Sequence, residues 1–127
     1  MKTEIAKKWI TALRSGEYNQ GYTRLRNGDS FCCLGVLCDL FEKETQQTIH
    51  VSHNENFLYG EGGDCYYLPD EVQEWSGISS GRGAVYGFSE EHGHTHKVEL
   101  FCLSAMNDKS IPFDVIADKI EENSEIL

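Results

Sequence analysis

One segment of the chain is apolar almost without interruption. Residues 31–41 read Phe-Cys-Cys-Leu-Gly-Val-Leu-Cys-Asp-Leu-Phe, with apolar side chains on every side of a helix. A helix that is apolar all round is buried on all sides. A chain of 127 residues suffices for one compact domain, so the other elements are expected to pack around this helix. We therefore predict a buried central helix over residues 30–44, capped by Asp29 or Ser30.

The remaining elements follow from shorter patterns. Apolar residues at helical spacing, together with a proline at one helix start, predict four further helices. These span residues 3–15, 69–76, 100–106 and 112–123. Runs rich in β-branched and aromatic residues predict four short strands, the last two joined as a hairpin. These span residues 48–51, 65–68, 84–88 and 95–99. The predicted fold is α+β, a mainly helical single domain over residues 1–127 with a small antiparallel sheet around the buried central helix.

Composition narrows the classes of function. A net charge of −10 disfavours direct binding to nucleic acid or to anionic membranes. No apolar run approaches the roughly 18–20 residues that span a bilayer, and the first residues lack the apolar core of a signal peptide. The five cysteines are an odd number without a Cys-x-x-Cys pair, which predicts reduced thiols rather than disulfides or a zinc site. We expect a cytoplasmic protein without a cofactor or a functional metal.

Basic residues are concentrated near the start of the chain. Residues 5–28 hold five bases and one acid, and three of the four arginines lie between positions 14 and 26. A Gly-rich loop with arginines, leading into a helix N-terminus, suits a phosphate or carboxylate. The alternative is that these arginines pair with acids and tie the loop down. The predicted ligand-binding residues are Tyr18, Gln20, Arg24, Arg26, Cys33, Asn107 and Asp108.

Three motifs resemble a family of small uncharacterised proteins common in phage genomes and prophages. The first is Phe31–Leu40 after its Gly/Arg loop, the second is Leu68–Gly77, and the third is Leu103–Asp108 followed by Phe113–Ala117. The resemblance covers most of the chain in the same order. It implies a phage accessory protein in the cytosol of the host, where such proteins often act on host machinery or defence. It implies no particular activity.

An alternative function is hydrolysis with Cys33 as the nucleophile. This residue lies near a helix N-terminus, which lowers a thiol pKa, and Cys33–Leu37 is faintly similar to the nucleophile turn of NlpC-type cysteine peptidases. A cysteine hydrolase of this type would use His96 as its base and Asn107 as its orienting residue. Leu34 and Cys32 depart from that family's pattern, which has Ser and Asp at these two places.

Two further patterns have both a functional and a structural explanation. His92, His94 and His96 alternate in an extended segment and can converge on a metal ion, although a solvent-exposed hairpin tip explains them equally. Acidic residues of the last helix and of residues 70–74 open a further alternative function, an acidic DNA-mimic inhibitor that occupies the nucleic-acid site of another protein, although a solvated helix face explains them equally. The whole sequence favours a non-catalytic binder of an anionic small molecule, such as a nucleotide signal, or of a host protein. A homodimer is compatible with a domain of this size.

Overall fold

The computed structural model describes residues 1–53, 56–59 and 67–127. Over these residues the predicted α+β class is confirmed, because five helices accompany two small sheets. The helices are α1 (Thr3–Arg14), α2 (Cys33–Thr45), α3 (Asp70–Ser76), α4 (Leu103–Asp108) and α5 (Phe113–Asn123). The strands are β1 (Asn19–Gln20), β2 (Arg26–Asn27), β3 (Ser30–Phe31), β4 (His50–His53), β5 (Asn56–Tyr59), β6 (Ala84–Glu91) and β7 (His94–Cys102). No helix of the described residues is long and apolar enough to cross a bilayer.

Helix α2 occupies the centre of the hydrophobic core, as its composition predicts. All of its residues from Cys33 to Cys38 are buried, and α1, α3, α4 and β3 pack around it. The predicted cap at Asp29 or Ser30 is wrong. The helix begins later, and the Sγ atom of Cys32 accepts a hydrogen bond from the backbone N–H of Gly35 at 3.4 Å. A thiol thus takes the place of the hydroxyl or carboxylate that a helix start usually carries.

Helix α1 is held from two sides. Its indole donor, Trp9 Nε1, reaches the carbonyl oxygen of Cys33 at 2.8 Å inside the core. At its far end Arg14 donates to Asp118 at 2.6 Å and to Glu121 at 3.1 Å, which joins α1 to α5. The predicted span of α1 is confirmed to within one residue. These contacts fix the N-terminal helix against both the first turn of α2 and the last helix.

The Gly-rich loop with arginines, predicted between the helices at 3–15 and 30–44, contains two short strands, β1 and β2. In the larger sheet the strand order is β1-β3-β2-β5-β4, with β1 parallel to β3 and the other pairs antiparallel. The strand predicted at 48–51 lies two residues later, as β4. Of the strand predicted at 65–68, residues 65 and 66 lie outside the described residues, and residues 67 and 68 belong to no strand.

The predicted hairpin is longer and tighter than its pattern suggests. Strands β6 and β7 continue to a two-residue turn at His92 and Gly93, whose φ angles are 52° and 78°. Two positive φ angles define the type I′ turn, which matches the twist of a hairpin. The helix predicted over residues 100–106 is therefore wrong in its first turn. Residues 101 and 102 pair with β6, and α4 begins only at Leu103.

Candidate anion-binding site

Asn107 brings three distant segments together. Its side chain is fully buried, and its Oδ1 accepts hydrogen bonds from the backbone N–H of Cys33 and from Gln20 Nε2, both at 3.1 Å. Its Nδ2 donates to the carbonyl oxygen of Gly21 at 2.8 Å. The loop after α1, the start of α2 and the end of α4 therefore meet at this amide. The structure places Asn107 and Asp108 beside the arginine-bearing loop, as the predicted site requires.

A small cavity lies where these segments meet. Its volume is about 50 Å³. Four parts of the chain contribute to it: the loop after α1, the residue before α2, the loop before β6, and α4. The residues that line it are Thr23, Arg24, Cys32, Arg82, Ser104 and Asp108.

Hydrogen bonds hold the side chains of Asp108 and Arg82 at the cavity. Asp108 Oδ1 accepts from the backbone N–H of Thr23 at 2.9 Å. Arg82 donates to the hydroxyl of Tyr86 at 3.2 Å and to Glu99 Oε1 at 3.4 Å. The hydrogen bond to Tyr86 is the largest cause of a raised pKa at Arg82, whose guanidinium therefore stays charged. The lining thus carries two guanidinium groups and one carboxylate, and the guanidinium of Arg82 is also ion-paired with Glu99 outside the lining.

Thr23 adopts an unusual backbone conformation at the edge of the cavity. Its φ of 66° lies in the left-handed region, where a β-branched residue is an outlier. The hydrogen bond from its N–H to Asp108 holds this conformation. Residues kept in sparsely populated conformations by their surroundings cluster at ligand-binding sites.

Other predicted ligand residues support the loop instead of lining the cavity. The hydroxyl of Tyr18 donates to Asp39, and its ring packs edge-to-face on Phe31 with centroids 5.2 Å apart. Arg26 donates to the carbonyl oxygen of Gly28 at 2.9 Å, and its guanidinium lies 4.8 Å from the centre of the Phe31 ring. Gln20 is bonded to Asn107 and to the carbonyl oxygen of Ile111. The alternative that the arginines pair with acids describes Arg14, which donates to Asp118 and Glu121. Arg26 ties the loop down through a carbonyl oxygen and an aromatic ring, and Arg24 lines the cavity.

The chain matches one known family over almost its whole length. Residues 1–124 match a family described as a domain of unknown function, DUF8296. The protein belongs to the DUF8296 family. No curated protein and no solved structure matches the chain.

Cys33 of this DUF8296 protein lies in the hydrophobic core. The side chain is fully buried, its Sγ donates to the carbonyl oxygen of Leu103 at 3.6 Å, and burial raises its pKa well above the ordinary value. The hydrogen-bond partners of the Asn107 side chain in the described structure are the backbone N–H of Cys33, Gln20 and the carbonyl oxygen of Gly21. His96 lies on β7 opposite Ser89, where both are exposed. Burial and the backbone hydrogen bond make this thiol part of the core.

The histidine and acidic patterns lie elsewhere on the DUF8296 domain. His92 forms part of the hairpin turn, while His94 and His96 follow on β7. In the part of the chain that the structure describes, no three His, Cys, Asp or Glu side chains are grouped so as to hold a metal ion. On α5, Asp118 and Glu121 are neutralised in part by Arg14. The mimicry of nucleic acid remains a prediction from the sequence.

Two wider hollows lack the combination of charges found in the small cavity. A groove of about 460 Å³ between α1 and α2 has Lys7 and Lys8 at its rim, and Lys8 is ion-paired with Glu44. A hollow of about 260 Å³ between α2 and α3 is bordered by Glu71 and Glu74. No arginine lines the first hollow, and two glutamates line the second. Both are therefore less suited to an anion than the small cavity that Arg24 lines.

Four residues that line the cavity are not among those predicted from the sequence: Thr23, Cys32, Ser104 and Arg82. Arg82 is the charged one among them. It stands in the short run Ser79–Gly83, which has the composition of an ordinary loop. The only local signal is that it is the one arginine outside the N-terminal third. Its proximity to Arg24 depends on how β6 and α4 pack against the start of α2, and that arrangement has no local signature.

Proposed function

We propose that this DUF8296 protein binds, without chemically altering it, a small ligand through a phosphate or carboxylate group. The observation that carries the proposal is that Arg24 and Arg82, which are distant in sequence, line one cavity. Guanidinium groups match the geometry of phosphate and carboxylate, and two of them in a chain of net charge −10 favour an anion at this place. The resemblance to small phage proteins implies that the protein acts inside a host cell and that its ligand is a host molecule. Signalling nucleotides are therefore the first ligands to test.

The size of the cavity limits what enters it. A cavity needs roughly 10–15 Å³ to hold one water molecule, whereas pockets that enclose a drug-sized ligand measure roughly 300–1,000 Å³. At about 50 Å³ this cavity accommodates an anionic group and leaves the rest of the ligand outside. Tyr22 adjoins Thr23 and is 47% exposed, so its ring is available to stack on a base.

The surroundings favour binding over catalysis. Cys32 lines the cavity, but burial raises the pKa of its thiol to about 11, so it is protonated near neutral pH. The neighbouring Cys33 is fully buried, and its thiol donates a hydrogen bond to the carbonyl oxygen of Leu103. The hydroxyls of Thr23 and Ser104 offer neutral hydrogen-bonding groups to a bound anion.

Titration with candidate ligands tests the proposal. The panel comprises inorganic phosphate, nucleoside phosphates, cyclic nucleotides and ADP-ribose, assayed by thermal shift and then by calorimetry. A ligand at 100 times its dissociation constant stabilises the fold by about 2.7 kcal/mol. We expect Arg24→Ala and Arg82→Ala each to weaken binding about tenfold or more, since each removes charge-assisted hydrogen bonds. Arg14→Ala, which removes an arginine paired with α5, serves as the matched control and should bind like the wild type.

Two outcomes would reject the small-ligand proposal. The first is the absence of any shift across the panel, and the second is binding that both cavity variants leave unchanged. The other predicted ligand, a host protein that presents an anionic group, is tested with the same variants. Capture of one defined protein by the wild type but not by the Arg24→Ala/Arg82→Ala double variant would indicate it.

A further inference from the structure

Strands β6 and β7 form a hairpin whose two faces are both in contact with solvent. Every residue from Tyr86 to Leu100 is exposed or half-buried. Among the described strands, neither β6 nor β7 has a second neighbour. An isolated two-stranded hairpin is marginally stable at best, and an unpaired strand edge is a template for pairing with another chain. The outer edge of β7 is therefore a place where another strand can pair.

The turn determines which residues of β7 direct their backbone groups outward. In a β-turn the carbonyl of the first residue accepts from the N–H of the fourth, so Glu91 and His94 form a hydrogen-bonded pair. Bonded and non-bonded pairs alternate along an antiparallel ladder. Thr95, Lys97 and Glu99 therefore point their N–H and C=O groups away from β6. Antiparallel pairing along this edge has to place these residues opposite one another.

We propose that a second copy of this chain pairs antiparallel along the edge of β7, with Lys97 opposite Glu99 of the second copy. Two-fold symmetry then forms the Lys97–Glu99 pair twice. The neighbouring symmetric registers place Lys97 opposite Lys97 or Glu99 opposite Glu99, and like charges directly opposite each other are destabilising. A register with Thr95 opposite Lys97 leaves both charges without a counter-charge. The charges of the edge thus select one register.

The same register covers an apolar patch on the opposite face of the hairpin. Val98 comes opposite Val98 of the second copy. The side chain of Leu100 packs over Gly87, with two of its carbons 3.2 Å from the position that a Cβ of Gly87 would occupy. Leu100 is nevertheless 58% exposed. In the dimer each Leu100 becomes the diagonal neighbour of Val98 of the other copy, a distance that long side chains bridge. One alignment therefore satisfies the backbone edge, the charges and the apolar side chains. Glu99 also accepts from Arg82 of its own copy at 3.4 Å, so Lys97→Glu, which leaves that contact in place, tests the edge separately from the anion site.

Charge reversal with complementation tests this inference. The mass in solution is measured by sedimentation equilibrium for the wild type, for Lys97→Glu and for Glu99→Lys, with circular dichroism to verify that each is folded. We expect a wild-type dimer whose dissociation constant rises about tenfold or more in each variant, because both charge pairs become repulsive. An equimolar mixture of the two variants should dimerise again, since every facing pair in the mixed dimer joins Lys to Glu. The double variant Lys97→Glu/Glu99→Lys should dimerise for the same reason.

The controls are Lys7→Glu on α1 and Glu17→Lys in the loop after it, which change the net charge equally and should remain dimeric. A wild type that is monomeric at millimolar concentration overturns the inference. So do variants that dimerise as tightly as the wild type, or a mixture of the two variants that stays monomeric.

Discussion

The side-chain oxygen of Asn107 accepts a hydrogen bond from the backbone N–H of Cys33 at 3.1 Å. This contact joins α4 to the first residue of α2, which are distant in sequence. The same buried amide holds Gln20 and the carbonyl oxygen of Gly21. The relative positions of the segments that carry Arg24, Cys32 and Asp108 thus depend on one side chain.

Replacing Asn107 by Ala should destabilise the protein strongly. The change leaves the N–H of Cys33, the carbonyl of Gly21 and the amide of Gln20 without this partner, and each buried unsatisfied group costs about 1–3 kcal/mol. We expect the free energy of unfolding, measured by urea denaturation, to fall by about 3 kcal/mol or more. The control Asn19→Ala removes an exposed amide and should change it by about 0.5 kcal/mol or less. A loss of the same size in both variants would contradict the role given to Asn107.

Gly35 should not tolerate even a methyl group. A Cβ at this position would overlap the carbonyl oxygen of Leu25 and lie 2.6 Å from its carbonyl carbon, and both atoms belong to the backbone. We expect Gly35→Ala to cost about 3 kcal/mol or more, because overpacking here displaces the loop that carries Arg24. Gly16→Ala is the control, since its Cβ would meet nothing within 4 Å and only its φ of 75° opposes the change. That strain costs about 1 kcal/mol. Thermal unfolding of the two variants makes the comparison, and equal stability would show that the helix and loop separate easily.

Helix periodicity predicted α1, α2 and α5 because each has an apolar stripe or an apolar surface long enough to be recognised. Helix α3 was predicted from Pro69 at its start. Strands β1, β2 and β3 have two residues each, too few for an alternating pattern to appear. The apolar residues of 100–106 fit a helix locally, yet pairing with β6 keeps residues 101 and 102 extended. Tertiary pairing outweighs local pattern at such short segments.

The candidate site was predictable to the extent that its residues are clustered in the sequence. The concentration of bases points to Arg24, and the structure places Asp108, the last residue of α4, on the same cavity. Arg26 carries the same local signal as Arg24, but its guanidinium packs against Phe31 and Tyr59. Arg24 lies in a bend before β2, whereas Arg26 is the first residue of that strand. Which of the two faces a cavity depends on this local path of the backbone, and composition does not encode it.

Stability should fall as the solution becomes alkaline. Burial raises the pKa of Cys32 from an ordinary 9.0 to about 11, and it also raises the pKa values of Cys33 and, to about 12, of Tyr18. The unfolded chain releases these protons at lower pH than the folded chain, so the free energy of unfolding decreases as pH rises above 9. Cys32 alone should account for a loss of about 2–3 kcal/mol between about pH 8.5 and about pH 12.

The matched variant for this effect is Cys32→Ser. A serine oxygen still accepts from the N–H of Gly35 but does not titrate in this range, so the variant should lose about 2 kcal/mol less over the same pH interval. Urea denaturation at a series of pH values, with reductant present, measures both slopes. Identical slopes for wild type and variant would show that the Cys32 thiol is accessible to solvent in the folded protein.

Asp108 opposes the binding of an anion while it organises the loop, and the two effects can be separated. The variant Asp108→Asn keeps a side-chain oxygen to accept from the N–H of Thr23 and removes the negative charge from the cavity. A unit charge at about 4 Å is worth about 1 kcal/mol in a solvated setting, so an anionic ligand should bind about fivefold more tightly to the variant. Calorimetric titration at low and high salt measures the gain, which should shrink as salt screens the charge. Asp114→Asn on α5 removes the same charge from an exposed helix and should leave the affinity near that of the wild type. Weaker binding to Asp108→Asn would mean that the carboxylate contacts a cationic part of the ligand, and the ligand class would then change from a simple anion to a zwitterion.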